Sequence, residues 1–123
     1  MKITILGQTP AQKNNKSIAY NRGTGKPFIM SNQTVKDWQQ AAKYQIARYA
    51  NSFKGRVRVD YMFYVKDNRK RDTDNMIATI NDALQASEVV TGDHWQVLEI
   101  GSGKAEIDKN NPRAEITITD LDL

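Results

Sequence analysis

The sequence predicts an α/β (α+β) layer fold, a single mixed β-sheet with two main helices packed on it. Three patterns carry this. Arg56–Lys66 alternates apolar and polar residues with the two-residue period of a strand buried on one face. The segments around Val35–Ile46 and Ile77–Leu84 space their apolar residues by three and four, the period of a helix packed along one side. No internal repeat, low-complexity tract or long linker divides the chain, so residues 1–123 read as one domain.

Taken in order, Lys2–Leu6 reads as a short strand leading into a polar loop, Gly7–Asn15. Lys16–Asn21 and Lys26–Met30 read as the arms of a hairpin around Arg22-Gly23-Thr24-Gly25, whose glycines permit positive φ. Ser31 is placed to cap a long helix ending near Asn51, with Val35, Trp38, Ala42 and Ile46 as its core stripe and Tyr49 beyond. In the strongest strand, Val57, Val59, Tyr61, Phe63 and Val65 alternate with Arg56, Arg58, Asp60 and Met62. Arg69-Lys70-Arg71 then leads into a second helix, from about Asp74 to Ala86. Ile77, Ile80 and Leu84 supply its core face, helped by Met76 and Ala83. Val97–Ile100 and Ala114–Thr119 read as two further strands. The segment between them continues the first as a hairpin arm, turning at Asn110-Asn111-Pro112.

Composition narrows the function. With 39% hydrophobic and 26% charged residues the chain has the make-up of an ordered globular protein. No apolar run approaches the roughly 18 residues of a membrane span, and the start MKITILGQTP lacks an apolar signal core. The absence of cysteine excludes a disulfide framework and a thiolate zinc site. A lone histidine, His94, argues against a His-rich metal site or a Ser-His-Asp triad. The expected location is a reducing cytoplasm.

Charge is divided along the chain. Residues 1–71 hold fifteen Lys/Arg against three Asp/Glu, and residues 72–123 hold three against eleven. The first part suits phosphate backbones and the second concentrates carboxylates. Two opposite surfaces attracting each other would also account for the division. The sign, however, changes abruptly inside RKRDTDN, where a nuclease needs cations for its substrate beside acids for a metal.

Asp72 and Asp74 flank Thr73 at the entry to the second helix. Residues two apart in an extended stretch point the same way, so both carboxylates can converge on one ion. A hard octahedral Mg²⁺ takes oxygen ligands and keeps several waters, so two or three carboxylates suffice. Asp93, after the turn at Thr91-Gly92, is the candidate third. The D-x-D spacing alone favours the plainer explanation, an N-cap at Asp72 or Asp74 and a turn residue at Asp93.

The surroundings decide between these. Arg71-Asp72-Thr73-Asp74-Asn75, then Asp82-Ala83-Leu84, then Gly92-Asp93 together resemble the RusA-type Holliday junction resolvases. Thr9-Pro10-Ala11-Gln12-Lys13-Asn14-Asn15 is similar to that family's N-terminal proline-and-asparagine loop. The resemblance implies a homodimeric, Mg²⁺-dependent endonuclease (Mn²⁺ being a substitute) acting on branched DNA in recombination and repair. It implies that Asp72, Asp74 and Asp93 bind the metal and catalyse phosphodiester hydrolysis. An enzyme of this size and type suits a phage or prophage.

Two positions depart from the family pattern. Ala78 stands where a lysine often follows the second aspartate by one helical turn, and Gly92 stands where an acid often precedes the third. A lysine at 78 would share a helix face with residues 74 and 82 and could stabilise transition-state charge. An inactive or weakened branched-DNA-binding module of the same fold is therefore the alternative.

Lys13, Asn14, Asn15 and Lys16, with Arg22 and Lys26, are candidate phosphate contacts as a set, though any one alone is an ordinary solvated residue. Arg69, Lys70 and Arg71 adjoin the acids and are the first candidates for gripping the cleaved strand. Asn75 is placed to orient a carboxylate or to bond the helix-start backbone. Asp82 and His94 read as structural and turn residues, and Trp95 as a core or interface residue.

Overall fold

The computed structural model describes residues 1–11, 16–20, 22–31 and 33–122. In chain order its elements are β1 (Lys2–Leu6), β2 (Lys16–Tyr20), β3 (Pro27–Ser31), α1 (Gln33–Ile46), β4 (Val57–Val65), α2 (Thr73–Ala86), β5 (Leu98–Ile107) and β6 (Arg113–Asp120). Strands β1, β6, β4 and β5 form a four-stranded mixed sheet in that spatial order, while β2 and β3 form a separate hairpin.

The sheet is built around β4. Val57, Val59, Tyr61, Phe63 and Val65 all point to one face and are buried. In register on that face are Ile3 and Ile5 of β1 and Ala114, Ile116 and Ile118 of β6. Both helices close over it. α1 contributes Val35, Trp38, Ala42 and Ile46, as its stripe predicts, and α2 contributes Met76, Ile80 and Leu84, whereas Ile77 and Ala83 of the expected α2 face are only half-buried against the core. Burial of this contiguous apolar surface is the main stabilising term.

Two polar contacts fix α2 on the sheet. The buried Tyr61 hydroxyl donates to Asn81 Oδ1, and burial pushes the phenol's pKa well above its ordinary value, so it remains a donor. The Thr79 hydroxyl lies 2.8 Å from the Pro10 carbonyl oxygen and 2.9 Å from that of Asn75. The Pro10 contact joins the N-terminal loop to the helix that carries the acids.

The opposite face of the sheet is polar. Glu115 accepts from Lys2 at 3.0 Å and from Arg113 at 2.8 Å, and Arg113 also reaches Asp108 at 2.9 Å. The Arg113 guanidinium lies 3.8 Å from the Tyr64 ring centroid. Part of the acidic second half is thus engaged in ion pairs within and beside the sheet.

The structure corrects three sequence expectations. Ser31 does not cap α1. It ends β3, where its backbone is in register with Lys16, and the helix begins at Gln33. α1 stops at Ile46 and gives way to a 3₁₀ turn, Ala47–Tyr49, before Asn51 turns the chain at φ 61°. Asparagine tolerates that left-handed conformation, and its N–H donates to the Glu88 carbonyl at 2.7 Å.

The third correction concerns β5 and β6, which are not hairpin partners. β5 does continue from Leu98 to Ile107, but it pairs parallel with β4, while β6 pairs antiparallel on β4's other side. A parallel pair needs a long crossover, and α2 provides it. The parallel register shifts between Val59 and Tyr61, where Asp60 Oδ1 accepts from the Ser102 backbone at 2.8 Å and its hydroxyl at 3.0 Å. A Cβ on Gly101 would lie 2.2 Å from that same carboxylate oxygen, so a side chain there would displace the Asp60 carboxylate from its present position.

Candidate active site

The β4–α2–β5 unit creates the site. The N–H of Asp108, just past β5, donates to the Val65 carbonyl at 2.8 Å, which brings the carboxyl ends of the two parallel strands together. The chain leaves Val65, crosses a short loop and enters α2 at that edge, where ligands of parallel α/β units bind.

The loop is braced from within. Arg71 Nη2 donates to Asp67 Oδ1 at 2.8 Å, and its Nη1 reaches the carbonyls of Asp67 and Arg69 at 3.2 and 3.3 Å. Asp67 also accepts from the Arg69 N–H at 3.1 Å. That backbone bond, and then the Arg71 hydrogen bond, hold the Asp67 carboxyl below the usual range. The Arg71 side chain is consequently only 16% exposed, whereas Arg69 is 81% exposed and Lys70 is exposed too. Of the basic triplet, Arg69 and Lys70 face solvent and Arg71 shapes the loop.

Asp72 sits at the N-cap position of α2, but its side chain makes no capping bond. Its Oδ2 instead accepts from Asn75 Nδ2 at 3.2 Å, and Asp74 Oδ1 accepts from the Asn75 backbone N–H at 3.0 Å. Asn75 is buried, while both aspartates are exposed. One fixed residue therefore holds two carboxylates at the solvent boundary, and neither forms an ion pair among the described residues.

Asp93 belongs to the segment between α2 and β5, whose residues His94–Val97 lead back to the amino end of β4, where the Val97 carbonyl accepts from the Val57 N–H at 2.8 Å. Asp82, eight residues or about 12 Å along α2 from Asp74, carries the imprint of this placement. Its carboxyl is raised above the usual range by burial and then by the negative charge of Asp93. Among the described residues no three Asp, Glu or His side chains converge to hold a metal ion.

As a donor set, the Asp72–Asp74 pair fits a hard divalent cation that keeps several waters. Asp93 does not complete a three-acid cluster with that pair among the described residues. Lys13, Asn14 and Asn15 lie outside the described residues, as does the side chain of Lys16, whose backbone is the first residue of β2.

Sequence reasoning missed two features. The Asp67–Arg71 brace has an i,i+4 spacing that marks a local partner, which was the available signal. A groove of about 790 Å³ between α1 and α2, lined by Lys43, Tyr44, Thr79, Asp82 and Ala83, left no sequence mark, because its walls come from two helices far apart in the chain. Exposed Trp95 is not part of the core.

Comparison with known proteins is informative at the family level. The family model described as endodeoxyribonuclease RusA matches residues 8–119, nearly the whole chain. No curated protein matches the sequence significantly. No helix among the described residues is long and apolar enough to cross a membrane.

Proposed function

Since the chain belongs to the RusA endodeoxyribonuclease family, we propose that it is a Mg²⁺-dependent, structure-selective endonuclease that resolves four-way DNA junctions by paired phosphodiester hydrolysis. One observation carries most weight. Two exposed carboxylates, oriented by the buried Asn75, stand beside the exposed cations Arg69 and Lys70.

In this reading Asp72 and Asp74 hold Mg²⁺, and Asp93 is the third acid of the reaction. The bound cation supplies Lewis-acid polarisation of the phosphate and lowers the pKa of water. Arg69 and Lys70 bind backbone phosphates next to the scissile one, joined by Lys13, Asn14, Asn15 and Lys16 of the N-terminal loop and hairpin. Arg71 keeps the loop in shape, and Asn75 keeps the Asp72 side chain turned to the ligand. Two cuts across a symmetric junction call for a homodimer with two related sites.

The test is cleavage of a four-way junction against a linear duplex of the same sequence, with and without Mg²⁺. Paired nicks confined to the junction and dependent on the metal are expected. Equal cutting of both substrates would remove the structural selectivity.

A second reading is favoured by Ala78, which is exposed on α2 one turn after Asp74. Here the chain binds branched DNA without turnover. If the wild type binds junctions uncut and Ala78→Lys cuts them, this reading holds.

A further inference from the structure

Strand β5 is an edge strand, and its exposure contrasts with its neighbour's. Every residue from Glu99 to Ile107 is exposed. Ile100 is in register with Val59 and Ile107 with Val65 on the helix-covered side of the sheet. Val59 and Val65 are 0% and 9% exposed, yet Ile100 and Ile107 are 54% and 59% exposed. The apolar face of the sheet thus continues onto β5 without cover, beside a row of backbone N–H and C=O groups that no described strand pairs. Long exposed edges of this kind are templates for strand addition.

We infer that β5 pairs antiparallel with β5 of a second copy of this chain, about a two-fold axis at Ala105, joining two four-stranded sheets into one. The register follows from the residues themselves. With Ala105 on the axis, Lys104 faces Glu106 of the second copy, and the symmetry repeats the pair. Both lie on the polar face, since Lys104 is in register with Met62 and Glu106 with Tyr64. Opposite charges directly across an antiparallel pair are stabilising and like charges destabilising.

On the other face, Ile107 comes opposite Gly103. A Cβ at Gly103 would lie 2.9 Å from Ile77 Cδ1, so Ile77 already covers that position. Ile107 of the second copy would there meet half-buried Ile77, which fills the space a side chain at Gly103 would take. An isologous contact of this kind closes as a dimer. At the other edge, Lys2 of β1 is already paired with Glu115 of the neighbouring β6, and β1 presents no such self-complementary charge pattern.

This surface rests on the homodimer proposed above, and the experiment separates the two. Sedimentation of the intact protein is expected to show a dimer. Lys104→Glu, which sets Glu against Glu twice, is expected to weaken dimerisation about tenfold or more, and adding Glu106→Lys in the same chain to restore it. Because the chain has no cysteine, Ala105→Cys provides an independent readout. Oxidation is expected to cross-link it into a dimer, and Thr4→Cys on β1 to remain uncross-linked. A wild-type dimer that neither Lys104→Glu weakens nor Ala105→Cys cross-links would overturn the β5 interface and leave the homodimer standing. A monomeric wild type would overturn both.

Discussion

The side-chain amide of Asn75 donates to Asp72 Oδ2 at 3.2 Å, from a residue that is itself 7% exposed. The same residue's backbone N–H donates to Asp74 Oδ1. A carboxylate held this way is positioned before any ligand arrives, and partners of this kind typically account for 10- to 100-fold in metal affinity or activity. Asn75→Ala is therefore expected to lower junction cleavage by about that factor at limiting Mg²⁺. Raising the metal concentration should recover part of the loss. Cleavage unchanged across a Mg²⁺ titration would show that Asn75 only serves the helix start.

Arg71 and Lys70 are adjacent in sequence and opposite in use. Lys70→Ala is expected to weaken junction binding at all sequences and to reduce the slope of log affinity against log salt by about one. Arg71→Ala is expected to act by loosening the loop that Asp67 closes, lowering cleavage with little change in that slope. Affinity measured across a salt series separates the two, and identical slopes for both variants would contradict the assignment.

Asp60 ties the β4–β5 bulge, and its carboxyl is held below the usual range, chiefly by the Ser102 backbone N–H. An acid whose folded-state pKa is depressed contributes stability above its unfolded value, near 4, and loses it as pH falls through the folded value. Asp60→Ala is expected to cost about 1 kcal/mol at neutral pH. The gap from wild type should shrink progressively below about pH 4. Denaturant unfolding at several pH values measures this, and a gap that stays constant down to pH 2 would exclude the carboxylate as its source.

Much of this architecture was legible because periodicity is local. The alternation of Val57 to Val65 and the stripes Val35–Ile46 and Met76–Leu84 each mark a buried face without reference to any other segment. The pairing of strands is not local, and the sequence reading joined β5 to β6 where β4 in fact separates them. A parallel β4–α2–β5 unit carries the chain after α2 back to the amino end of β4, which brings Asp93 within electrostatic range of Asp82, a neighbour that no local pattern marks. The place of Asp72 and Asp74 at the start of α2, by contrast, needed only the helix start. No pattern distinguished Arg71 from its exposed neighbours except the acid four residues before it.

The central claim is that the acids at the start of α2 perform hydrolysis, and Asp74→Asn tests it most directly. The substitution keeps the side chain's size and an oxygen able to accept from the Asn75 N–H, but removes the charge. With Mg²⁺ present and junction binding intact, the variant is expected to cut a four-way junction at least about a hundredfold more slowly than wild type, the scale of losing one group that stabilises transition-state charge. Cleavage at the wild-type rate would contradict the account.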